Sequence, residues 1–436
     1  MKKILIISNL HHCSPRIPNI VTHLSDFGWY PTIITPPLVK DAANKLGFPR
    51  NFLDKVKIIE VPFIGDIFWF WRKIFNLFGF KADESITEQI KGKIGINSTK
   101  NYINFLVNLY HTFFAYPDTE INWKTPAIEA ASLLLEHENF DAVLSSSPFP
   151  TYHIIASELK KKFQIKWLAD FRDPWTQNHN YPYGSIRKYF EQKLEKNVIK
   201  NADIMIAAAP SYAQKQEKLH GKKTFVITNG FNAENLKISV PSLTKKFTIT
   251  YTGSIYEGKQ DPEKLLIVLK EMIFKKILIS EDIEVRFYGA KQNWLKNLIF
   301  KHNVMNIVKC YGLITQSEAI EKQKESQLLL LFNWEDTQEK GVYPSKLFEY
   351  LSAQRPILAT GGFRGDEIEN ILLDLNAGFY APALEDIEKS ISNLYTEYKS
   401  KGRVPFDGNI DKIYKYSFYE KAKELSEILK KDEKDE

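Results

Sequence analysis

A chain of 436 residues exceeds what one hydrophobic core usually supports, so we expect two domains. Its hydrophobic fraction of 44% and charged fraction of 26% are ordinary for a globular protein. Two widely separated cysteines, Cys13 and Cys310, indicate neither a disulfide framework nor a zinc site and fit a reducing compartment. The formal net charge of +6 suits anionic substrates or a membrane surface, and no nucleic-acid motif accompanies it.

The first half of the chain alternates short apolar runs with helical patterns. Residues 3–8 form too short an apolar run for a signal peptide, so they predict a buried first strand. The other strands predicted here are apolar on both faces, as buried parallel strands require, and cover 31–35, 57–61, 142–146, 165–169 and 204–208. A further strand is predicted at 224–228, before the turn signal Asn229-Gly230. Helices at 17–27 and 151–163 follow strands, and this alternation predicts a doubly wound parallel sheet.

The strand pattern restarts after a polar stretch at 230–246, which we interpret as a linker. The second strand set covers 247–252, 284–288, 307–310, 327–332 and 356–359, again with helices between. We therefore expect an α/β protein with two Rossmann-like doubly wound domains, 1–232 and 233–416. An amphipathic helix at 417–429 opens a terminal segment, 417–436, that packs back on the first domain. Two such domains should face a cleft at the carboxyl ends of both sheets, where ligands bind in open α/β folds.

A helix predicted at 345–352 carries the first candidate site. Ser345 is a good N-cap residue, and the N-terminus of a helix favours a diphosphate. Lys346 adds a positive charge there, and Glu349, one turn later, can accept hydrogen bonds from a pair of sugar hydroxyls. The alternative is a capping box at Ser345 with a surface pair between Lys346 and Glu349.

The run Pro344–Ala353, followed by Arg355-Pro356-Ile357-Leu358-Ala359, resembles the donor motif of GT-B glycosyltransferases, especially the retaining enzymes of glycosyltransferase family 4. The resemblance implies that Glu349 binds the nucleotide ribose and that Tyr343, Ser345 and Lys346 belong to the donor site. That family has a second glutamate eight positions earlier, where this chain has Gly341. The sugar contact would then fall to main-chain N–H groups or to Glu339.

Further motifs in the second half are similar to the same family. Tyr251-Thr252-Gly253-Ser254 with Lys259 resembles the glycine turn and phosphate-binding lysine, although Ser254 stands where the family often has arginine. Phe287-Tyr288-Gly289 resembles the strand end that faces the nucleobase, and Tyr311-Gly312-Leu313-Ile314 resembles the loop that contacts the base edge. The resemblance thus implies donor contacts at Gly253, Ser254, Lys259, Gly289, Leu313 and Ile314.

The candidate acceptor site lies in the first half. Asp170, Arg172, Asp173 and Trp175 follow a predicted strand, and a carboxylate there can orient or deprotonate an acceptor hydroxyl while Trp175 stacks on a sugar. We favour Asp170 for the polar contact because it comes first after the strand. The alternative is a structural loop in which Arg172 pairs with one of the two aspartates.

Three more residues are candidate acceptor contacts. His11 and Arg16 follow the first strand, and Ser147 follows another. The adjacent histidines His11 and His12 resemble metal ligands, but no third ligand follows at a suitable spacing, so we predict no metal.

An aromatic segment, 63–80, is apolar, basic in its middle and too short to span a bilayer. It predicts either peripheral contact with a membrane interface or a helix buried against the domain or a second copy.

The resulting hypothesis is a cytoplasmic glycosyltransferase, at or near the inner face of the cytoplasmic membrane. It would transfer a hexose or N-acetylhexosamine from a nucleoside diphosphate sugar to a glycan or lipid-linked acceptor, with retention, in bacterial surface polysaccharide synthesis. No cofactor, metal or nucleic acid is expected. The alternatives are a sugar-nucleotide epimerase of the same fold and a non-catalytic binding subunit, which the Gly341 departure favours.

Overall fold

The computed structural model describes residues 2–13, 15–39, 42, 46–49, 51–63, 116–238, 242–336 and 343–431. The chain forms two compact units. The first comprises Met1–Ala208, Tyr212–Val226 and Ser426–Glu436, and the second comprises Ala209–Ser211 and Ile227–Leu425. Gly341, Glu339 and nearly all of the aromatic segment 63–80 lie outside the described residues.

The first unit contains a parallel sheet of seven strands in the order β3-β2-β1-β4-β5-β6-β7. The strands are β1 Lys2–Ile7, β2 Trp29–Thr35, β3 Lys57–Glu60, β4 Ala142–Ser146, β5 Lys166–Phe171, β6 Ile204–Ala207 and β7 Thr224–Val226. Helices between them cover Leu10–Cys13, Arg16–Thr22, Phe52–Lys55, Lys124–His137, Pro150–Phe163, Ser185–Ile199 and Pro210–His220, with 3₁₀ turns at Leu24–Phe27 and Ile121–Trp123.

The centre of this sheet is buried on both faces, which is why its strands are continuous apolar runs. All of Ile4, Leu5, Ile6 and Ile7 in β1 are fully buried. β1 pairs in parallel with β2 on one side and β4 on the other. Strand order reverses at β1 and β4, so their carboxyl ends form the switch point where open α/β sheets bind ligands.

The second unit contains a parallel sheet of six strands in the order β10-β9-β8-β11-β12-β13. The strands are β8 Phe247–Thr252, β9 Ile283–Tyr288, β10 Val308–Gly312, β11 Leu328–Phe332, β12 Ile357–Thr360 and β13 Gly378–Ala381. The helices are Glu234–Lys237, Glu263–Phe274, Asn293–Lys301, Gln316–Lys324, Ser345–Ala353, Glu367–Leu375, Leu384–Lys401, Ile410–Tyr414 and Phe418–Lys430. Here the order reverses at β8 and β11.

The predicted fold class is confirmed by two parallel sheets with alternating helices. All twelve predicted strands are present with bounds within two residues of the prediction. Strand β13 was missed because it is a short edge strand whose burial is mixed, so it lacks a continuous apolar run.

The segment predicted as a linker, 230–246, contains the helix Glu234–Lys237 and the fully packed side chain of Phe231. Phe231 forms an isolated bridge with Ser417. The terminal helix Phe418–Lys430 contributes to both units, and within the first unit Lys166 donates to the carbonyl of Leu429 at 3.2 Å. Among the described helices, none combines the length and apolar character needed to cross a membrane.

Candidate functional site

The carboxyl ends of β8, β9 and β10 are held together through their main chains, next to the switch point that β8 forms with β11. The N–H of Gly253 donates to the carbonyl of Tyr288 at 2.6 Å, and the N–H of Gly289 donates to Gly312 at 2.8 Å. A Cβ at Gly289 would lie 2.2 Å from the carbonyl oxygen of Gly253. Gly253 itself has φ +115°, which side chains rarely adopt. These predicted donor residues are therefore glycines because the strand ends approach too closely for any side chain.

The helix Ser345–Ala353 begins beside this glycine turn. Its N-cap residue is Pro344, and no side chain caps the first turn. The prediction of Ser345 as N-cap is therefore wrong by one residue, because the extended Pro344 precedes the helix and Ser345 is its first residue. The alternative of a capping box is excluded for the same reason. The first turn therefore lacks a side-chain cap, and Ser345 is exposed there.

Lys346 extends from this first turn across Gly253. A Cβ on Gly253 would lie 2.3 Å from Cε and 2.8 Å from Nζ of Lys346, so the missing side chain makes room for the lysine. The ammonium lies 5.6 Å from the centre of the Tyr251 ring. Burial lowers the pKa of Lys346, and Glu349 partly offsets this. A half-buried ammonium at a helix N-terminus is a site for an anion.

Glu349 lies one turn further along the same helix and is also half-buried. Burial raises the pKa of its carboxyl, whereas Lys346 and a hydrogen bond from Gln323 lower it. Because both side chains are half-buried, Lys346 and Glu349 do not form the exposed surface pair that was the alternative to a donor site.

A buried polar network, which the sequence did not reveal, holds this helix against β8. The main-chain N–H of Thr252 donates to the hydroxyl of Tyr350 at 2.9 Å, and Nε2 of Gln323 donates to Oγ1 of Thr252 at 2.9 Å. Tyr350 is fully buried. Only its position next to Glu349 in the helix could have drawn attention to Tyr350, and nothing in the sequence pairs it with Thr252.

The loop after β8 is connected to the loop after β11. The N–H of Glu335 donates to the carbonyl of Lys259 at 3.0 Å. The ammonium of Lys259 lies 5.8 Å from the centre of the Trp334 ring, and Trp334 stacks on Tyr256 at 5.5 Å. The predicted phosphate ligand Lys259 is thus held beside an aromatic pair, and Ser254 is exposed in the same loop.

The remaining predicted donor residues lie around these strand ends. Leu313 is 80% exposed and follows Gly312 directly, with Ile314 next to it. Tyr343 is half-buried and packs edge-on against Phe348. Burial is the main cause that raises the pKa of Tyr343. The second unit thus gathers the glycine turn, Lys346 and Glu349 closely, while Leu313 and Ile314 extend the same edge.

In the first unit, the predicted residue Asp170 is the acceptor in a buried polar cluster at the end of β5. Arg16 donates to one carboxylate oxygen at 3.1 Å, and the Ser146 hydroxyl donates to the other at 2.7 Å. Asp170 and Arg16 are each 3% exposed. Both oxygens are engaged, so Asp170 is placed to position Arg16 and the strand ends. Proton transfer at Asp170 stays a prediction.

The other residues of this loop differ in exposure. Nε of Arg172 lies 3.8 Å from Asp173, and its guanidinium also donates to the carbonyl of His12. The Ser147 hydroxyl donates to the carbonyl of Asp173 at 3.1 Å. Trp175 is 5% exposed, and its indole N–H donates to Glu191 at 3.1 Å. Trp175 is therefore a core residue in this structure, because both its ring and its polar atom are used within the unit, and the predicted stacking on a sugar does not fit this position.

The loop after β1 forms a short helix, Leu10–Cys13, at the switch point of the first sheet. His11 contacts the carbonyl of Pro37 at 3.1 Å, and Nε2 of His12 lies 4.0 Å from Glu120. Burial lowers the pKa of His12, aided by His11 and Arg172. Burial also raises the pKa of Glu120 to about 7, with Asp118 adding to it and a hydrogen bond from Asn9 opposing it.

Glu120 was missed because it follows no predicted strand, and its only signal in the sequence is Asp118 two positions earlier. Within the described residues, no three His, Cys, Asp or Glu side chains are grouped so that they can hold a metal ion.

No family model matches the chain, and a search of curated protein sequences finds no significant relative. Several solved structures are similar over the whole chain. A glycosyltransferase from Rickettsia africae ESF-5 matches at 15% identity with a TM-score of 0.61, over 100% of this chain and 99% of the other. Anabaena HepE in complex with UDP and glucose matches at 11% identity and 0.59, over 98% and 99%.

A candidate UDP-N-acetylglucosamine 2-epimerase from Listeria monocytogenes also matches, at 11% identity and a TM-score of 0.54, over 99% of this chain and 98% of the other. Structural similarity at such low sequence identity establishes the fold alone, so the reaction has to be argued from the site. Together with the two parallel sheets, the similarities show that the chain has the two-domain GT-B fold that is found in glycosyltransferases.

Proposed function

We propose that the protein is a glycosyltransferase that moves a sugar from a nucleoside diphosphate sugar to an acceptor hydroxyl. The observation that carries this proposal is the half-buried ammonium of Lys346, which lies across Gly253 at the N-terminus of the helix Ser345–Ala353. A diphosphate bound there meets a full positive charge and the helix dipole together.

The leaving group is a nucleoside diphosphate, whose negative charge develops as the bond to the sugar breaks. Lys346 and the first turn of its helix stabilise that charge, and Lys259 adds a second ammonium from the loop after β8. The glycines allow the main chain to approach the phosphates without steric conflict. Glu349 accepts hydrogen bonds from the two hydroxyls of the ribose, which fixes the nucleotide along the helix.

The acceptor is proposed to bind at the carboxyl end of the first sheet, where His11 follows β1, and Arg172 and Asp173 follow β5 next to Asp170. Ser147 positions this loop through Asp173. The proposed acceptor is a glycan or lipid-linked glycan of bacterial surface polysaccharide synthesis, at a cytoplasmic location, and transfer would proceed with retention. Nuclear magnetic resonance of the isolated product decides the stereochemistry, and an inverted linkage would exclude retention.

Calorimetric titration with a panel of nucleoside diphosphate sugars tests the donor site. The panel starts with UDP-sugars, because the similar Anabaena protein holds UDP. Glu349→Gln should weaken binding roughly 10- to 100-fold, as expected for hydrogen bonds to a charged group. The matched control is Glu271→Gln, an exposed glutamate on the helix Glu263–Phe274 of the same unit, which should leave affinity unchanged. Equal affinities of wild type and Glu349→Gln would contradict the assigned site.

The epimerase alternative has a specific observation in its favour, since the candidate epimerase from Listeria monocytogenes shares the fold. Incubation with donor alone separates the two reactions, because an epimerase converts the sugar without an acceptor. Release of nucleoside diphosphate that depends on acceptor supports transfer. Donor binding without release or epimer would instead identify a non-catalytic subunit.

Metal independence stays a prediction, which rests on the two lysines as charge-stabilising groups. Transfer measured with and without excess EDTA tests it directly. Full activity in EDTA would agree with lysine-based stabilisation, and activity restored only by a divalent cation would contradict it.

A further inference from the structure

The helix Ser185–Ile199 buries three charged residues and exposes three large apolar ones. Arg187, Glu191 and Glu195 are buried at 7%, 1% and 0% exposure. They recur at every fourth position and therefore share one face of the helix. On the opposite face, Ile186 is 76% exposed, and Tyr189 and Phe190 are each 55% exposed. This arrangement reverses the usual pattern of a surface helix.

The three inward charged side chains have polar partners within the unit, and these contacts favour burial of this face of the helix. Arg187 pairs with Glu191 at 2.5 Å, and Glu191 accepts the indole N–H of Trp175 at 3.1 Å. Glu195 accepts the main-chain N–H of Thr176 at 3.1 Å. Because these polar contacts hold one face of the helix inward, Ile186, Tyr189 and Phe190 on the other face are exposed at the surface.

The outer face also has a strongly one-sided charge. Lys193, Lys196 and Lys200 are exposed and continue the face of Ile186, Tyr189 and Phe190 along the helix and its C-cap. Both acidic residues of this helix, which is described throughout, are buried. The Lys193 ammonium lies 4.4 Å from the centre of the Tyr189 ring, so the basic and aromatic groups are directly adjacent.

We propose that this face, defined by Ile186, Tyr189, Phe190, Lys193 and Lys196, docks on an anionic lipid surface. Aromatic and aliphatic side chains insert at headgroup depth, while lysines extend along the surface and pair with lipid phosphates. The exposed lysines of this face complement the negative charge of an anionic leaflet. The helix follows β5, so its apolar N-terminal end lies towards the carboxyl edge of the first sheet, on the side of Asp170.

Vesicle flotation of the full-length protein tests this proposal. We expect binding to vesicles of phosphatidylcholine with phosphatidylglycerol, little binding to phosphatidylcholine alone, and a decrease of binding at high salt. The double variant Ile186→Asp/Phe190→Asp should lower the partition coefficient by roughly tenfold or more, because it removes the inserting groups and adds two negative charges. Lys193→Gln/Lys196→Gln should lower it by a similar factor without loss of an apolar group.

The matched control is Phe300→Asp, which changes a phenylalanine that is 71% exposed on the helix Asn293–Lys301 of the second unit. It should bind vesicles like the wild type. Circular dichroism of each variant establishes that the fold is retained, as expected for exposed positions.

Two outcomes would overturn the proposal. Equal flotation of the wild type and both double variants would show that any membrane contact lies elsewhere in the chain. Absence of flotation, together with a wild-type oligomer that Ile186→Asp/Phe190→Asp dissociates in light scattering, would identify the face as a contact between copies instead. The test does not depend on the proposed transfer reaction, so the two can fail separately.

Discussion

Glu120 provides a quantitative test of the polar cluster behind His12. The residue is 7% exposed, and its Oε1 accepts a hydrogen bond from Asn9 at 3.1 Å. Burial, with Asp118 adding to it, raises the pKa of Glu120 from 4.5 to about 7. The folded protein therefore holds this proton more tightly than the unfolded chain. The free energy of unfolding must fall as the pH rises from 4.5 through 7, and the loss is complete above 7.

Glu120→Gln should remove this contribution, because glutamine cannot ionise and still offers an oxygen to Asn9. Between pH 5 and pH 8, the free energy of unfolding of the variant, relative to that of the wild type, should grow by roughly 2–3 kcal/mol. Near pH 5 the two proteins should be similarly stable, since protonated glutamate and glutamine have nearly the same shape. The exposed Glu129, on the neighbouring helix Lys124–His137, provides the control variant Glu129→Gln.

Urea unfolding followed by tryptophan fluorescence measures the effect. Trp123 is fully buried 5.8 Å from Tyr152 and reports on this part of the first unit. A stability difference between Glu120→Gln and the wild type that is the same at both pH values would refute the reasoning. So would a pH-dependent change of equal size in Glu129→Gln.

Three further predictions concern the second unit. Lys346→Gln should weaken UDP binding roughly tenfold or more and make it less dependent on salt, because a charged contact with phosphate is lost. Calorimetry at two salt concentrations measures both effects. Unchanged affinity would contradict the assignment of Lys346 to the donor site. Gly289→Ala should lower the free energy of unfolding by about 1–3 kcal/mol, because its Cβ would lie 2.2 Å from the Gly253 carbonyl oxygen. Thermal unfolding measures the loss. The control Gly184→Ala should be tolerated, because a Cβ there has nothing within 4 Å. Tyr350→Phe should cost about 1–3 kcal/mol, because it leaves the buried Thr252 N–H without its acceptor. Tyr311→Phe, at an exposed position, is its control, and equal losses in the two variants would count against that hydrogen bond.

Much of the architecture follows from local patterns. Buried parallel strands read as apolar runs such as Ile4–Ile7, and the helices between them follow a different period, so strand positions and the α/β class could be predicted. The edge strand β13 was not predicted, because a strand at the edge of a sheet is only partly buried and need not be continuously apolar. The N-cap at Pro344 was assigned one residue late, since Ser345 has the better capping side chain but the backbone turns at the proline.

The candidate donor site was predictable to the extent that its residues are adjacent in sequence or recur in a motif. Lys346 and Glu349 share one helix, and Gly253 follows a strand, so each could be selected without a structure. That the Lys346 side chain occupies the space left by Gly253 depends on two segments that lie 93 positions apart. Their approach is a consequence of strand order, which local patterns do not encode.

The first unit shows the same division between sequence and tertiary structure. The sequence determined that Asp170, Arg172, Asp173 and Trp175 follow a strand and therefore lie at the carboxyl edge of a sheet. Only the tertiary structure decided that Asp170 pairs with Arg16, 154 positions away, and that Trp175 is enclosed by the helix that carries Glu191. The physical reason is that burial and charge pairing depend on groups brought together by packing, so residue type and spacing determine where a side chain lies but not what surrounds it.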